Sequence, residues 1–283
     1  MSTTLSRGKR KLENQDTSEE LKPWIRRFGR FGHMAKGIVY ALLGVLAFMA
    51  AVGAGEEASG TQGLFQSLAA MPFGELLLWI IGIGLIGYIV WVIIKSVYDT
   101  SNKGKDLSGI VTRTGYLIGA VIYGSLAVNA FQIAMHAGGS GGNSEQTISA
   151  MLLGQPFGPW LVGVLGIIVI GYGASEFYSG ITKRFLKKFN HHQMNEHERR
   201  VAEKSGKMGL ISRGVVLALI GFFFIQTALS SNPDDSKGLD GALAEVSQQP
   251  FGQWLLGLVA VGLILYGIYE ITRGRYERMS FGK

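Results

Sequence analysis

Six long apolar stretches punctuate the chain: 37–55, 76–94, 114–135, 159–181, 214–230 and 253–271. Charged and polar residues separate them. The second is 19 residues without a charge, and the fourth and sixth each carry a single acid near their end. A bilayer core takes about 20 mostly apolar residues in a helix. Water-soluble cores do not supply six such runs, so the pattern predicts six membrane-spanning helices. The stretches fall into three pairs. Each second stretch opens on the same phrase, Pro72-Phe73-Gly74, Pro156-Phe157-Gly158 and Pro250-Phe251-Gly252, with Tyr88, Tyr172 and Tyr266 fourteen residues after the glycine. Each first stretch opens on a glycine two places after a base: Arg30 and Gly32, Arg113 and Gly115, Lys207 and Gly209. From that glycine to the phenylalanine is 41, 42 and 42 residues. A fixed period of this kind sets the architecture before any single motif does.

The predicted fold is all-α: a polytopic membrane protein of six transmembrane helices, built from three parallel two-helix repeats with pseudo-threefold symmetry. Residues 23–101 form repeat one and 102–190 repeat two, which runs into a linker over 183–207. Residues 205–283 form repeat three and a basic tail. Residues 1–22, polar and of mixed charge without apolar period, are expected to be a disordered tail. No cleavable leader is read there, so the first span is expected to act as its own insertion signal. Between the paired spans, 63–70, 146–153 and 241–246 carry apolar residues at helical spacing. Each predicts a short amphipathic helix on the membrane surface, stopped by the proline that follows.

Charge fixes the orientation. The chain holds 27 Lys and Arg against 20 Asp and Glu. Nine bases lie up to Lys36, four in 95–113, nine in 182–213 and four from 272 onward. The opposite segments hold only Lys237, beside Glu56, Glu57, Glu145, Asp234, Asp235 and Asp240. Basic loops stay cytoplasmic during insertion. Both termini are therefore expected inside, with the basic face against anionic head groups. Nucleic acid is not expected as a partner, because no folded basic domain remains to hold it. Membrane lipids and a larger membrane protein complex are the partners expected. Trp24, Trp160 and Trp254 fall where interfacial aromatics belong.

The candidate chemistry is sparse. Cysteine is absent, which removes thiolate nucleophiles, thiolate metal sites and disulfides. The run Gly82-Ile83-Gly84-Leu85-Ile86-Gly87 spells a dinucleotide fingerprint, but it lies in mid-span with no strand before it. His191, His192 and His197, with Glu196 and Glu198, lack a metal-ligand spacing and read as a solvated loop. No catalytic residue, cofactor or metal is called for, and no enzyme is expected. Glycine is 41 of 283 residues, about twice its usual share, and its density in the spans predicts close helix packing.

The in-span charges are the most informative residues, since such groups are costly unless paired. Glu176 and Glu270 occupy one position in repeats two and three, where repeat one has Val92. Lys36 and Arg213 occupy another in repeats one and three, where repeat two has Gly119. Only one cyclic arrangement pairs every charge: each base meets the acid of the preceding repeat. Lys36 then meets Glu270, Arg213 meets Glu176, and Gly119 faces Val92. The alternative is that all four snorkel to the interface. Asn129, Gln132 and Gln226 are candidates for a polar cavity open to the outside, or for bonds between helices.

The chain resembles the bacterial membrane family catalogued as domain of unknown function 1206. The matching pieces are Arg30-Phe31-Gly32 with Lys36-Gly37, Arg113-Thr114-Gly115-Tyr116, Ser212-Arg213-Gly214-Val215-Val216, the three Pro-Phe-Gly phrases and Tyr266-Gly267-Ile268-Tyr269-Glu270. They cover about 24–280, and Gly119 and Val92 depart from the pattern. The resemblance implies a bacterial cytoplasmic membrane and six helices, and no activity. Two functions are left: a non-enzymatic structural or accessory protein binding a membrane complex or lipids, and a small channel or transporter for an ion or small solute.

Overall fold

A computed structural model describes residues 3–53, 65–66, 68–70, 72–98, 107–135, 144–232, 235–237 and 239–277. Six of its helices carry stretches long and apolar enough to cross a bilayer. They are α1 (Thr3–Ala51), α2 (Gly74–Tyr98), α3 (Leu107–Ala134), α5 (Gly158–Thr182), α6 (Glu196–Ser230) and α8 (Gly252–Tyr276). The short helices α4 (Ser144–Leu153) and α7 (Leu239–Gln248) precede α5 and α8. In repeat one, residues 65–66 and 68–69 are helical before α2. Helix α1 also takes in residues 3–22, where a disordered tail is expected, and continues through Pro23. Lys, Glu and Leu in that segment favour helix.

The Pro-Phe-Gly phrase is a turn with a physical purpose for each letter. Proline stops the preceding helix. Phe73, Phe157 and Phe251 adopt the left-handed conformation, at φ 64°, 63° and 61°. Their carbonyls accept the first bonds of the second spans, from the amides of Leu77, Leu161 and Leu255. The glycine is forced by crowding: a Cβ on Gly74 or Gly252 would stand 1.8 Å from the Leu68 carbonyl oxygen or 2.0 Å from that of Ser247. The three phenylalanines are 84%, 79% and 82% exposed, and Trp160 and Trp254 lie one turn further on, also exposed. The result is a crown of aromatics at the end away from the bases. The side chain of Trp24 lies outside the described residues.

The helices pair between repeats more than within them. The three largest helix contacts are α5 on α6, α1 on α8 and α2 on α3; α1 on α2 and α6 on α8 follow. Glycine sets two of these seams. A Cβ on Gly267 would stand 2.5 Å from the Gly37 carbonyl oxygen, and one on Gly173 would stand 2.7 Å from that of Gly214. Backbones in such contact gain dispersion and bring charged side chains within reach across the seam. The α2–α3 seam has Ile89 and Ala120 in the corresponding places and is looser.

Helix α6 is the longest span-bearing helix after α1. Its 35 residues rise roughly 52 Å, more than the ~30 Å bilayer core, so it projects beyond the membrane at the basic end. Asn195 starts it with a capping box: the Asn195 side chain accepts from the Glu198 amide at 2.8 Å, and Glu198 Oε2 accepts from the Asn195 amide at 2.9 Å.

Candidate functional site

The in-span charges gather at the basic end of the bundle, among tyrosines contributed by all three repeats. Lys36 of α1 and Glu270 of α8 are brought together by the glycine seam that joins those helices. Lys36 Nζ lies 3.4 Å from Glu270 Oε1, and the two side chains are 2% and 1% exposed. The same ammonium donates to the Tyr266 hydroxyl at 2.8 Å and to that of Tyr88 at 3.2 Å. Its three protons are thereby used. The rings of Tyr88, Tyr123 and Tyr266 stand 4.8, 5.1 and 5.3 Å from Nζ, which adds cation–π attraction to a desolvated charge. The Tyr266 hydroxyl donates a hydrogen bond to Glu270 Oε1 at 2.7 Å. An uncompensated buried ammonium would be untenable; here each group in direct contact with it is an acceptor or a π face, and the nearby guanidinium of Arg273 is itself held by Glu270.

Glu270 belongs to a wider network. Its other oxygen, Oε2, is 2.6 Å from His33 Nδ1, and Arg273 Nη1 reaches Oε1 at 3.3 Å. His33 Nε2 in turn lies 3.0 Å from Glu277 Oε2. Glu277 also takes Lys95 Nζ at 2.9 Å and Arg273 Nη2 at 2.8 Å. Its carboxyl is pushed up by burial, but Arg273, Lys95 and His33 outweigh that and hold it well below the ordinary range. This knot ties α1, α2 and α8 at their basic ends. It also reaches the linker, where Asn190 N donates to the Tyr276 carbonyl at 2.9 Å and Phe189 bridges to Glu277.

The second pair repeats the plan across the α5–α6 seam. Arg213 Nη1 is bonded to Glu176 Oε1. Arg213 Nε donates to the Tyr40 hydroxyl at 3.2 Å, and the guanidinium lies over the rings of Tyr266, Tyr40 and Tyr172 at 4.9, 5.5 and 5.6 Å. Tyr40 and Tyr123, equivalent residues of repeats one and two, meet at 3.2 Å between hydroxyls. The second acid is less enclosed than the first. Leu210 stands in repeat three where His33 stands in repeat one, and among the described residues Glu176 Oε2 has no hydrogen-bond partner.

The third seam holds the two blanks. Val92 is buried in an apolar cluster with Ala120 and Tyr123. Gly119 has nothing within 4 Å of the place a Cβ would occupy, so the blanks share a seam without touching. Repeat two departs from its siblings in a further way. Gly32 and Gly209 press on the backbones of Tyr88 and Tyr266 of their own repeats, whereas Gly115 meets nothing. Among the described residues α3 and α5 scarcely touch. Tyr172 is 41% exposed where Tyr88 and Tyr266 are 9% and 1%.

The amides of the expected outward cavity are not brought together. Gln132 and Gln226 are exposed on the outside of the bundle, and Asn129 is half-buried. A helix in lipid is apolar on both its core and membrane faces, so sequence period does not tell an inward amide from an outward one. The buried polar cluster near that end is a different one: Ser149 with Ser236 at 2.5 Å, and Ser236 with Thr227 at 2.8 Å. His33, Lys95, Arg273 and Glu277 are also absent from the sequence candidates. One signal for them existed: Lys95 and Arg273 occupy the same position in repeats one and three, and both converge on Glu277.

Segments 31–99, 114–183 and 208–277 each match the family described as Domain of Unknown Function (DUF1206). An uncharacterized protein YxxB of Bacillus subtilis (strain 168) is 45% identical over 265 residues, which is 94% of this chain and 96% of that protein. No solved structure matches.

Proposed function

We propose, on the premise that this chain belongs to the family described as Domain of Unknown Function (DUF1206), that it is a non-enzymatic structural or accessory protein of the bacterial cytoplasmic membrane. In this reading both termini are cytoplasmic, and the bundle binds a membrane complex and its lipids. One observation carries it. The four in-span charges marked by the repeats are spent on each other across repeat seams, Lys36 on Glu270 and Arg213 on Glu176. Groups committed in that way hold a bundle shut and are not free to handle a substrate. Between the tyrosines and the small Ser149, Thr227 and Ser236 cluster near the other end, buried residues such as Leu43, Leu85, Leu263 and Phe223 are apolar, which disfavours a continuous wet path. The aromatic crown and the projecting start of α6 offer contact surfaces on both sides of the membrane.

A channel or transporter is the second reading, and the parting of α3 from α5 favours it. The two separate by experiment. The protein is purified from its native membrane in mild detergent and its companions are identified by mass spectrometry. A stoichiometric membrane complex is expected. Recovery of the chain alone, together with ion or solute flux in liposomes, would overturn the accessory reading.

A further inference from the structure

The basic end carries a cavity that the ion-pair network does not use. It has a volume of about 380 Å³ and lies where the start of α6 leans on the end of α8, beside α1. Met34, Val201 and Ile271 give it an apolar wall, and His197 and Arg275 a polar rim. Glu198 also lines it as a carboxylate that accepts from the Tyr276 hydroxyl and the Asn195 amide and is partly offset by the charge of Arg275. Helices α1 and α8 run antiparallel and touch closely here: a Cβ on Gly274 would stand 2.7 Å from the Arg30 carbonyl oxygen and 3.0 Å from Met34 Cγ. On α1, Arg30 lies one turn from Met34 toward the basic end. On α8, Arg275 lies one turn from Ile271 in the same direction. Both helices therefore present an apolar residue toward the membrane and an exposed arginine toward the aqueous side. Among the described residues neither arginine has an acidic partner within ion-pair distance; Arg275 stacks on Tyr276 at 5.2 Å.

We propose that this cavity is a binding site for the head group of an anionic phospholipid, with the phosphate held by Arg275 at its rim, the exposed Arg30 adding its charge from the neighbouring helix, and an acyl chain laid along Met34, Val201 and Ile271. The inference deepens the accessory reading by naming a lipid class, and rests on it for the placement of the basic end at the cytoplasmic leaflet. A phosphate diester matches two planar guanidinium groups better than it matches lysines. A zwitterionic head group would bring its own ammonium against both arginines. The apolar wall selects a ligand with a chain attached, and basic pockets between spans on this side of a membrane take such head groups.

The test uses the full-length protein, delipidated in detergent and offered equal dioleoyl phosphatidylglycerol and dioleoyl phosphatidylethanolamine, with bound lipid counted by native mass spectrometry. Phosphatidylglycerol is expected to be retained at least fivefold over phosphatidylethanolamine. Each of Arg30→Ala and Arg275→Ala is expected to lower that retention about fivefold, from roughly 1 kcal/mol per base. Met34→Trp, which leaves both charges and fills the wall, is expected to lower it as well. Arg184→Ala removes a base stacked on Tyr178 elsewhere on the same face and is expected to change nothing. Equal retention of the two lipids, or equal losses from Arg184→Ala and Arg275→Ala, would overturn the site. Competition by water-soluble glycerophosphoglycerol at equal concentration would overturn the lipid assignment. These readouts need no partner protein, so the site can fail while the accessory reading survives, and the reverse.

Discussion

Replacing Glu270 by glutamine tests the central claim that charge pairing between repeats holds the bundle closed. The change keeps the shape and one acceptor for Tyr266, and removes the negative charge facing Lys36 at 3.4 Å and Arg273 at 3.3 Å. Lys36 stays buried, while Arg273 is half-buried and keeps Glu277. Breaking a buried pair by removing one member costs about 3–5 kcal/mol, because the other charge is left without compensation. At about 2–4 °C per kcal/mol for a chain of this size, the melting midpoint should fall by roughly 6–20 °C. Lys36→Met should cost less, since Arg273 and His33 still face Glu270. The decisive quantity is the double variant. Lys36→Met with Glu270→Gln removes both charges and should lose about 1–3 kcal/mol less than the sum of the single losses. The five tryptophans report melting in detergent by fluorescence. A Glu270→Gln shift below about 3 °C, or single losses that add to within about 0.5 kcal/mol, would refute the pairing argument.

Three further outcomes follow from the same geometry. Placing a third pair in the blank seam, Gly119→Arg with Val92→Glu, should melt above Val92→Glu alone, which buries an unpaired acid at a 3% exposed position; equal midpoints would show that this seam cannot close. Phe157→Gly should raise the detergent midpoint by about 2–4 °C, because it relieves roughly 1 kcal/mol of left-handed strain at φ 63° and gives up little packing from a 79% exposed ring; a fall would mean the ring is anchored. Glu277 is held below the ordinary carboxylate range in the folded protein, so its stabilisation is complete above its unfolded pKa near 4.3 and disappears as pH falls through the lower folded value. The wild-type midpoint should therefore drop on acidification below about pH 4, and Glu277→Gln should flatten that slope.

The pairing of Lys36 with Glu270 and of Arg213 with Glu176 could be argued from sequence because each residue has a fixed address within a repeat. Addresses turn three noisy segments into one pattern with gaps, and the gaps at Gly119 and Val92 constrain the arrangement. The cluster around Glu277 had no such frame. His33 stands alone at its address, with Tyr116 and Leu210 in the other copies, and Glu277 lies past the end of the apolar run. Its three companions meet only because the ends of α2 and α8 lie level with His33 of α1. Facing was hidden for a different reason. In water, polarity tells the outside of a helix from the inside. In lipid it does not, so Gln132 and Gln226 could be placed along their helices but not around them. The parting of α3 from α5 was hidden most deeply. Gly115 and Gly171 look like every other packing glycine, and what distinguishes them is empty space.

The contact of α1 with α8 joins the first span of the chain to its last, and it is built like the contact of α5 with α6, which are joined by a linker. The seam between the first and last spans is thus one of two glycine seams of the same build, and the chain runs continuously through the other. A circular permutant that starts at residue 102, with the present ends joined by a flexible segment, keeps every helix contact and should insert and fold. Each two-helix unit, for its part, makes its largest contact with a neighbouring unit and not within itself. A single unit made alone has its best face uncovered, and three separate copies would have reason to assemble as a trimer before any gene joined them.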